Sequence, residues 1–152
     1  MTKKIWSLPF SLLILLGMTL AACQSAPNGP DITIDGAWGR PSPKVATAGA
    51  FYLVINNDGS ESDSLLNASS SACGVVELHE SYKTEEGMMG MRPVEGGYIE
   101  IPAGEQVELK IGGLHIMCIT KLVDFDPGVI LPLTLDFENS GSMHVDIEIR
   151  EP

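Results

Sequence analysis

Two of the chain's three histidines and four of its seven methionines fall between His79 and Met117. Imidazole nitrogen and thioether sulfur are the donors that suit a soft metal ion such as Cu(I), whereas hard cations take oxygen. In a β-strand, residues two apart project to one face, roughly 7 Å from each other. The spacing therefore predicts that His115 and Met117 project together, and that Leu114, Ile116 and Cys118 project the other way. Met89 and Met91 share a face by the same rule. If Val76 and Leu78 face a core, His79 faces away from it with Glu77. A His-x-Met, a Met-x-Met and a lone histidine on three strands could converge at one end or face of a sandwich, which would give a site of two imidazoles and at least two thioethers. Taken singly, a methionine in a β-protein is more often core filler and a histidine a solvated surface group. Parity makes the group a candidate soft-metal site, because methionine normally avoids an outward face; core filler and solvated surface groups remain the alternative.

Those strands belong to a longer series. Apolar or alternating runs occur at Ile32–Ile34, Ala50–Ile55, Ser64–Ser70, Val75–Glu80, Met88–Val94, Tyr98–Ile101, Val107–Lys110, Leu114–Leu122, Ile130–Phe137 and Met143–Ile149. Turn signals such as Asn56-Asn57-Asp58-Gly59, Pro102-Ala103-Gly104 and Gly112-Gly113 separate them. No window after the N-terminal segment sustains the helical i, i+3, i+4 pattern over three turns. Many short strands with regular turns predict an all-β sandwich or barrel. The chain length suits one domain, residues 32–152, with its own core.

The N-terminal segment is of another kind. Lys3 and Lys4 precede an apolar run from Ile5 to Leu20, broken by Ser7, Pro9 and Ser11. That is the form of a signal peptide, residues 1–22, rather than of an uninterrupted membrane span. Leu20-Ala21-Ala22-Cys23 resembles the lipobox of bacterial lipoproteins, so Cys23 is expected to carry the lipid. An ordinary cleavage site is the alternative. Residues 23–31 have the composition of a tether, expected to hold the domain roughly 15 Å from a bilayer. Localisation is accordingly expected to be extracytoplasmic, on a membrane through the anchor. Without Lys3 and Lys4, seven basic residues face twenty acidic ones, a net charge of −13. So acidic a domain is repelled by phosphate backbones, and nucleic acid is excluded as a partner. Cys73 and Cys118 remain, and outside the cytoplasm they form either a disulfide or two buried free thiols.

The segments Val76-Glu77-Leu78-His79-Glu80, Gly87-Met88-Met89-Gly90-Met91-Arg92-Pro93-Val94 and Gly112-Gly113-Leu114-His115-Ile116-Met117 closely resemble the PCuAC family of bacterial copper chaperones. Ala37-Trp38-Gly39-Arg40-Pro41, Ala50-Phe51-Tyr52-Leu53 and Pro132-Leu133-Thr134-Leu135 look like it too, so the resemblance spans residues 34–150. It implies a cupredoxin-like Greek-key β-sandwich and a Cu(I) site of His79, Met91, His115 and Met117. Eleven residues separate His79 from Met91, as in the family. Met91 and His115 lie two residues further apart than is usual there; the turn at Glu95-Gly96-Gly97-Tyr98 can absorb the difference. Many members carry a methionine soon after the first histidine. Here that region reads Glu80-Ser81-Tyr82. Met89 is a candidate auxiliary ligand, with core packing the expected alternative. The resemblance also implies delivery of copper to the CuA centre of cytochrome c oxidase, with its copper subunit and a Sco-type thiol protein as partners.

Other classes fit less well. A blue-copper electron carrier needs a cysteine thiolate beside its histidines, and parity turns Cys118 away from His115. An enzyme is not expected: no Ser-His-Asp grouping, paired catalytic carboxylates or phosphate loop stands out. His144 shares an outward face with Asp146 and Glu148, the pattern of a solvated strand face. A copper-sequestering lipoprotein with the same site, or a metal-free surface binding module, are the remaining alternatives.

Overall fold

The computed structural model describes residues 28–152. The signal segment and Cys23 lie outside the described residues. The ten strands are β1 (Ile32–Gly39), β2 (Gly49–Asn57), β3 (Asp63–Ser69), β4 (Val76–Lys83), β5 (Met89–Pro93), β6 (Ile99–Ile101), β7 (Gln106–Leu109), β8 (Leu114–Cys118), β9 (Ile130–Phe137) and β10 (Gly141–Ile149). They are hydrogen-bonded in the order β5-β4-β8-β2-β1-β10-β9-β3-β6, with β7 also on β2. All pairings are antiparallel except β1 with β10. β3 meets β4, and β6 meets β2, across the interior. The result is a sandwich, as the turn spacing predicts.

Alternation explains the layers. Phe51, Leu53 and Ile55 of β2, Ile116 and Cys118 of β8, Leu131, Leu133 and Leu135 of β9, and Ile147 and Ile149 of β10 all point into one core. Each such side chain contributes about 1.5–3 kcal/mol through the apolar surface it removes from water. The intervening residues of β8, His115 and Met117, stand on the opposite face, as parity requires.

Three features differ from the sequence expectation. The run expected over Leu114–Leu122 stops as a strand at Cys118. There a disulfide joins Cys118 to Cys73, with Cα atoms 5.6 Å apart. Beyond it Lys121 turns aside, its Nζ donating to the carbonyls of Ser42 and Pro43. The pair of cysteines is thus bridged rather than free. At the N-terminus, the last residues of the expected tether are held on the domain. The Asp58 and Ser60 amides donate to the Asp31 and Gly29 carbonyls, and the Asp31 amide donates to Asn57 Oδ1. Fully buried Asn57 serves as the hub, its Nδ2 donating to the Glu61 and Ile101 carbonyls. Finally, Met89 is not in the core: it is 57% exposed. β5 is the edge strand of the order, paired among the described residues with β4 alone.

Candidate metal centre

β4 lies between β5 and β8, and its register fixes which side chains meet. His79 is the direct cross-strand partner of His115, Glu77 that of Met117, and Ser81 that of Met91. Directly opposed residues share a face. His79, His115, Met117 and Met91 therefore stand together on the side of this sheet away from the core, and Met89 is on that face one pair further along. Met91, His115 and Met117 line a common cleft of about 360 Å³, with Arg40–Pro43, Ser81 and Ile111 on its walls. His79 adjoins it through His115, the two rings meeting edge to face with centroids 5.8 Å apart.

The turn before β8 aims His115. Gly112 takes φ +79°, a conformation L-residues rarely adopt, and the Gly113 amide closes the turn on the Lys110 carbonyl at 3.0 Å. The Gly113 carbonyl then accepts from Ser81 N–H and from His115 Nδ1–H, each at 3.0 Å. One carbonyl so links β4 to β8 and sets the imidazole tautomer. With its proton on Nδ1, His115 keeps a lone pair on Nε2. On His79 the other nitrogen is used: Nε2–H donates to Glu77 Oε2 at 2.9 Å, leaving the lone pair on Nδ1.

Among the described residues, His79 Nδ1 and His115 Nε2 are the buried side-chain nitrogens or oxygens with no hydrogen-bond partner. Buried polar atoms are nearly always paired, and an unpaired one calls for a cause. Here both orphans are imidazole lone pairs on adjacent strands, beside two thioethers. Burial pushes the His115 pKa below its ordinary value; the Gly113 carbonyl opposes that shift and His79 adds to it. The ring is therefore neutral at pH 7, the protonation state that a ligand needs. Although it faces away from the core, His115 is only 2% exposed. The Tyr52 ring lies 6.4 Å away, itself 4.7 Å from the Trp38 ring.

All four residues expected as ligands are thus brought to one face. Met91 remains 59% exposed, so the site opens toward solvent on the β5 side. No group of three or more His, Cys, Asp or Glu that could hold an ion occurs among the described residues. An ion bound here would have to draw on methionine. Cys118 is fully buried in the disulfide and offers no thiolate. His144 lies elsewhere, on β10, with its Nδ1 2.9 Å from Thr134 Oγ1. Sequence reasoning missed Tyr52 and the roles of Glu77 and Gly113. Tyr52 was within reach, since alternation with Phe51, Leu53 and Ile55 puts it on the His115 face. Parity also puts Glu77 on the His79 face, so its carboxylate was within reach as well; the hydrogen bond to the Gly113 carbonyl left no trace in the residue pattern.

Comparison with known proteins bears on the fold and the family. Lipoprotein Lxx21020 of Leifsonia xyli subsp. xyli is 28% identical over 145 residues, covering 91% of this chain and 85% of that protein. The apo PCuAC domain from PmoF1 superposes with a TM-score of 0.68 at 21% identity, over 80% of this chain and 94% of that one. The solution structure of CuI-DR1885 from Deinococcus radiodurans gives 0.63 at 22% identity, over 86% and 83%. At such identities these structures establish the fold, a cupredoxin-like sandwich of the PCuAC kind. The model of the LpqE-like lipoprotein family matches residues 32–149, from the first residue of β1 to the last of β10. This chain belongs to the LpqE-like lipoprotein family.

Proposed function

We propose that the mature chain is a lipid-anchored, extracytoplasmic Cu(I) carrier, with His79, Met91, His115 and Met117 as its ligands. The observation that carries this is the pair of buried, unpartnered imidazole nitrogens on two paired strands, flanked by Met91 and Met117. Two imidazoles and two thioethers suit Cu(I) better than a hard or strongly charged ion. The fold supports the same reading, since CuI-DR1885 is a copper-bound protein of this architecture. Lipidation at Cys23 agrees with the family's lipoprotein character.

The ligand set also suits handing copper on. All four donors are neutral and none is a thiol, so binding is not lost when an oxidising compartment turns thiols into disulfides. An acceptor that brings a pair of thiolates can displace the donors one at a time. Copper stays Cu(I) throughout and no electron moves. The exposed edge at Met91 is where such exchange would begin. The acceptor we favour is the CuA centre of cytochrome c oxidase, reached directly or through a Sco-type thiol protein.

A Cu(I) competition titration of residues 24–152 against a chromogenic chelator tests the site. The expected result is one Cu(I) per chain, with the affinity lost in His115→Ala/Met117→Ala. Weak, substoichiometric binding that the double substitution leaves unchanged would refute it. Mixing the loaded protein with a reduced CuA-type domain then separates delivery from storage: copper that stays behind indicates sequestration.

A further inference from the structure

Each histidine of the site has two nitrogens, and only one can face the ion. For His115 the choice is made by the backbone, through the Gly113 carbonyl. For His79 it is made by a single side chain. Glu77 precedes His79 by two residues on β4, so both stand on the same face, and Glu77 Oε2 accepts from His79 Nε2–H at 2.9 Å. Glu77 is also the direct cross-strand partner of Met117, which puts the carboxylate within the ligand cluster rather than at its edge. The His79 side chain is 12% exposed, whereas that of Glu77 is 42% exposed. The proton-bearing nitrogen is therefore held toward the solvent side, and the free Nδ1 is the buried one.

We propose that Glu77 is a positioning residue that makes His79 a δ-nitrogen ligand, while His115 binds through its ε-nitrogen. This inference rests on the Cu(I) reading of the site. A carboxylate that accepts the far N–H of a ligating imidazole fixes the ring's orientation and raises the donor strength of the other nitrogen; losing such a partner typically costs about 10–100-fold in metal affinity. Without Glu77 the ring is free to rotate about its side-chain torsions and to present either nitrogen. The ion then binds in mixed modes and more weakly. The mixed pair, one δ and one ε donor, follows from where the acceptors lie: the Glu77 carboxylate reaches Nε2 of His79, whereas the Gly113 carbonyl, in the turn before β8, reaches Nδ1 of His115.

The test uses the ¹⁵N-labelled mature protein as wild type, Glu77→Ala and Glu77→Gln. Long-range ¹H–¹⁵N spectra of the apo forms are followed by Ag(I), a spin-½ stand-in for Cu(I), and by Cu(I) competition. In apo wild type we expect the His79 proton on Nε2 in slow exchange with water. With Ag(I), one-bond coupling should appear at His79 Nδ1 and His115 Nε2. Glu77→Ala should lose the slow Nε2 proton and weaken Cu(I) binding by about 10-fold or more. Glu77→Gln keeps an acceptor oxygen and should retain the proton and recover part of the affinity. Coupling at His79 Nε2, or Glu77→Ala matching wild type in both the apo spectrum and affinity, overturns the proposal. If wild type binds neither ion, the Cu(I) reading fails with it. The apo spectra tell the two failures apart, because they register the Glu77–His79 bond without any metal.

Discussion

His79 and His115 are direct cross-strand partners, yet they are tethered through opposite ring nitrogens, Nε2 to Glu77 and Nδ1 to Gly113. Each keeps its other nitrogen buried and unpaired. In a protein without a ligand for them, two such lone pairs would be a cost, since burying an unpaired polar atom is unfavourable by about 1–3 kcal/mol. The arrangement makes sense as a site held ready, with the cost recovered when an ion is bound.

Met91 and Met89 offer a sharp contrast. They share a strand, a face and nearly the same exposure, 59% and 57%. Only Met91 lines the cleft with His115 and Met117. Met91→Leu, which keeps the bulk and removes the sulfur, is expected to weaken Cu(I) binding by more than about 10-fold, beyond the smallest loss typical of an outer-shell partner. Met89→Leu should leave it within about twofold, under 0.5 kcal/mol. Chelator competition on the two variants checks this; equal losses would make Met89 a ligand as well.

The disulfide should matter for the fold and not for the ion. Cys73 and Cys118 are 45 residues apart in the chain, and closing a loop of that size stabilises by about 2–4 kcal/mol. Cys118 follows Met117 but points into the core. Cys73→Ala/Cys118→Ala is expected to lower the urea midpoint accordingly, while Cu(I) affinity stays within about twofold at temperatures where the variant is folded. A large loss of affinity in folded protein would mean that the bridge also sets the geometry of β8.

Much of the site was legible because a strand has a period of two. Once Ile116 and Cys118 were read as core, His115 and Met117 had to face the other way, and the same logic placed His79 against Leu78. The strand series itself followed from alternation and from glycine, proline and asparagine at the turns. What alternation does not carry is which strand lies beside which. That information decides that β5 is an edge, and so that Met89 is exposed rather than packed. It also decides that Cys73 comes within bonding reach of Cys118. Tyr52 covering His115 is of the same kind: the face was readable, the neighbour was not.

Asp63 illustrates stability built far from the site. It is 1% exposed, and its carboxylate accepts from the Asn139 and Ser140 amides at 2.9 Å and from Ser140 Oγ, pinning the β9–β10 turn to the start of β3. Burial alone would raise its pKa, but the bonds from Ser140, Asn139 and Ser64 outweigh it and the net shift is downward. A depressed carboxylate contributes stability that is present above its ordinary pKa of 3.8 and lost as pH falls through the folded value. Asp63→Ala should cost about 3 kcal/mol at neutral pH, because it removes the acceptor of four donors, the Ser64, Asn139 and Ser140 amides and Ser140 Oγ. Urea titration at pH 7 and pH 3 checks both parts, since the gap between variant and wild type should narrow in acid.

His115 gives the same sign in a higher pH window. Burial, with a smaller contribution from His79, sets its folded pKa below the ordinary 6.5, against the pull of the Gly113 carbonyl. The unfolded chain therefore takes up a proton at this residue before the folded one does. As pH falls from above 6.5, the unfolded state binds more protons and the apo protein loses stability. The loss continues down to the folded pKa and then levels off. In apo protein, urea midpoints should thus drop between pH 7.5 and the mid-acid range, before most carboxylates titrate. His115→Gln should flatten that slope while leaving the acid-side fall due to Asp63. On the proposed reading, bound Cu(I) would occupy the nitrogen that the proton would take, so the loaded protein should hold its midpoint to lower pH than the apo form. A slope that survives in His115→Gln would assign the effect to another group, and equal profiles for apo and loaded protein would remove His115 from the ligand set.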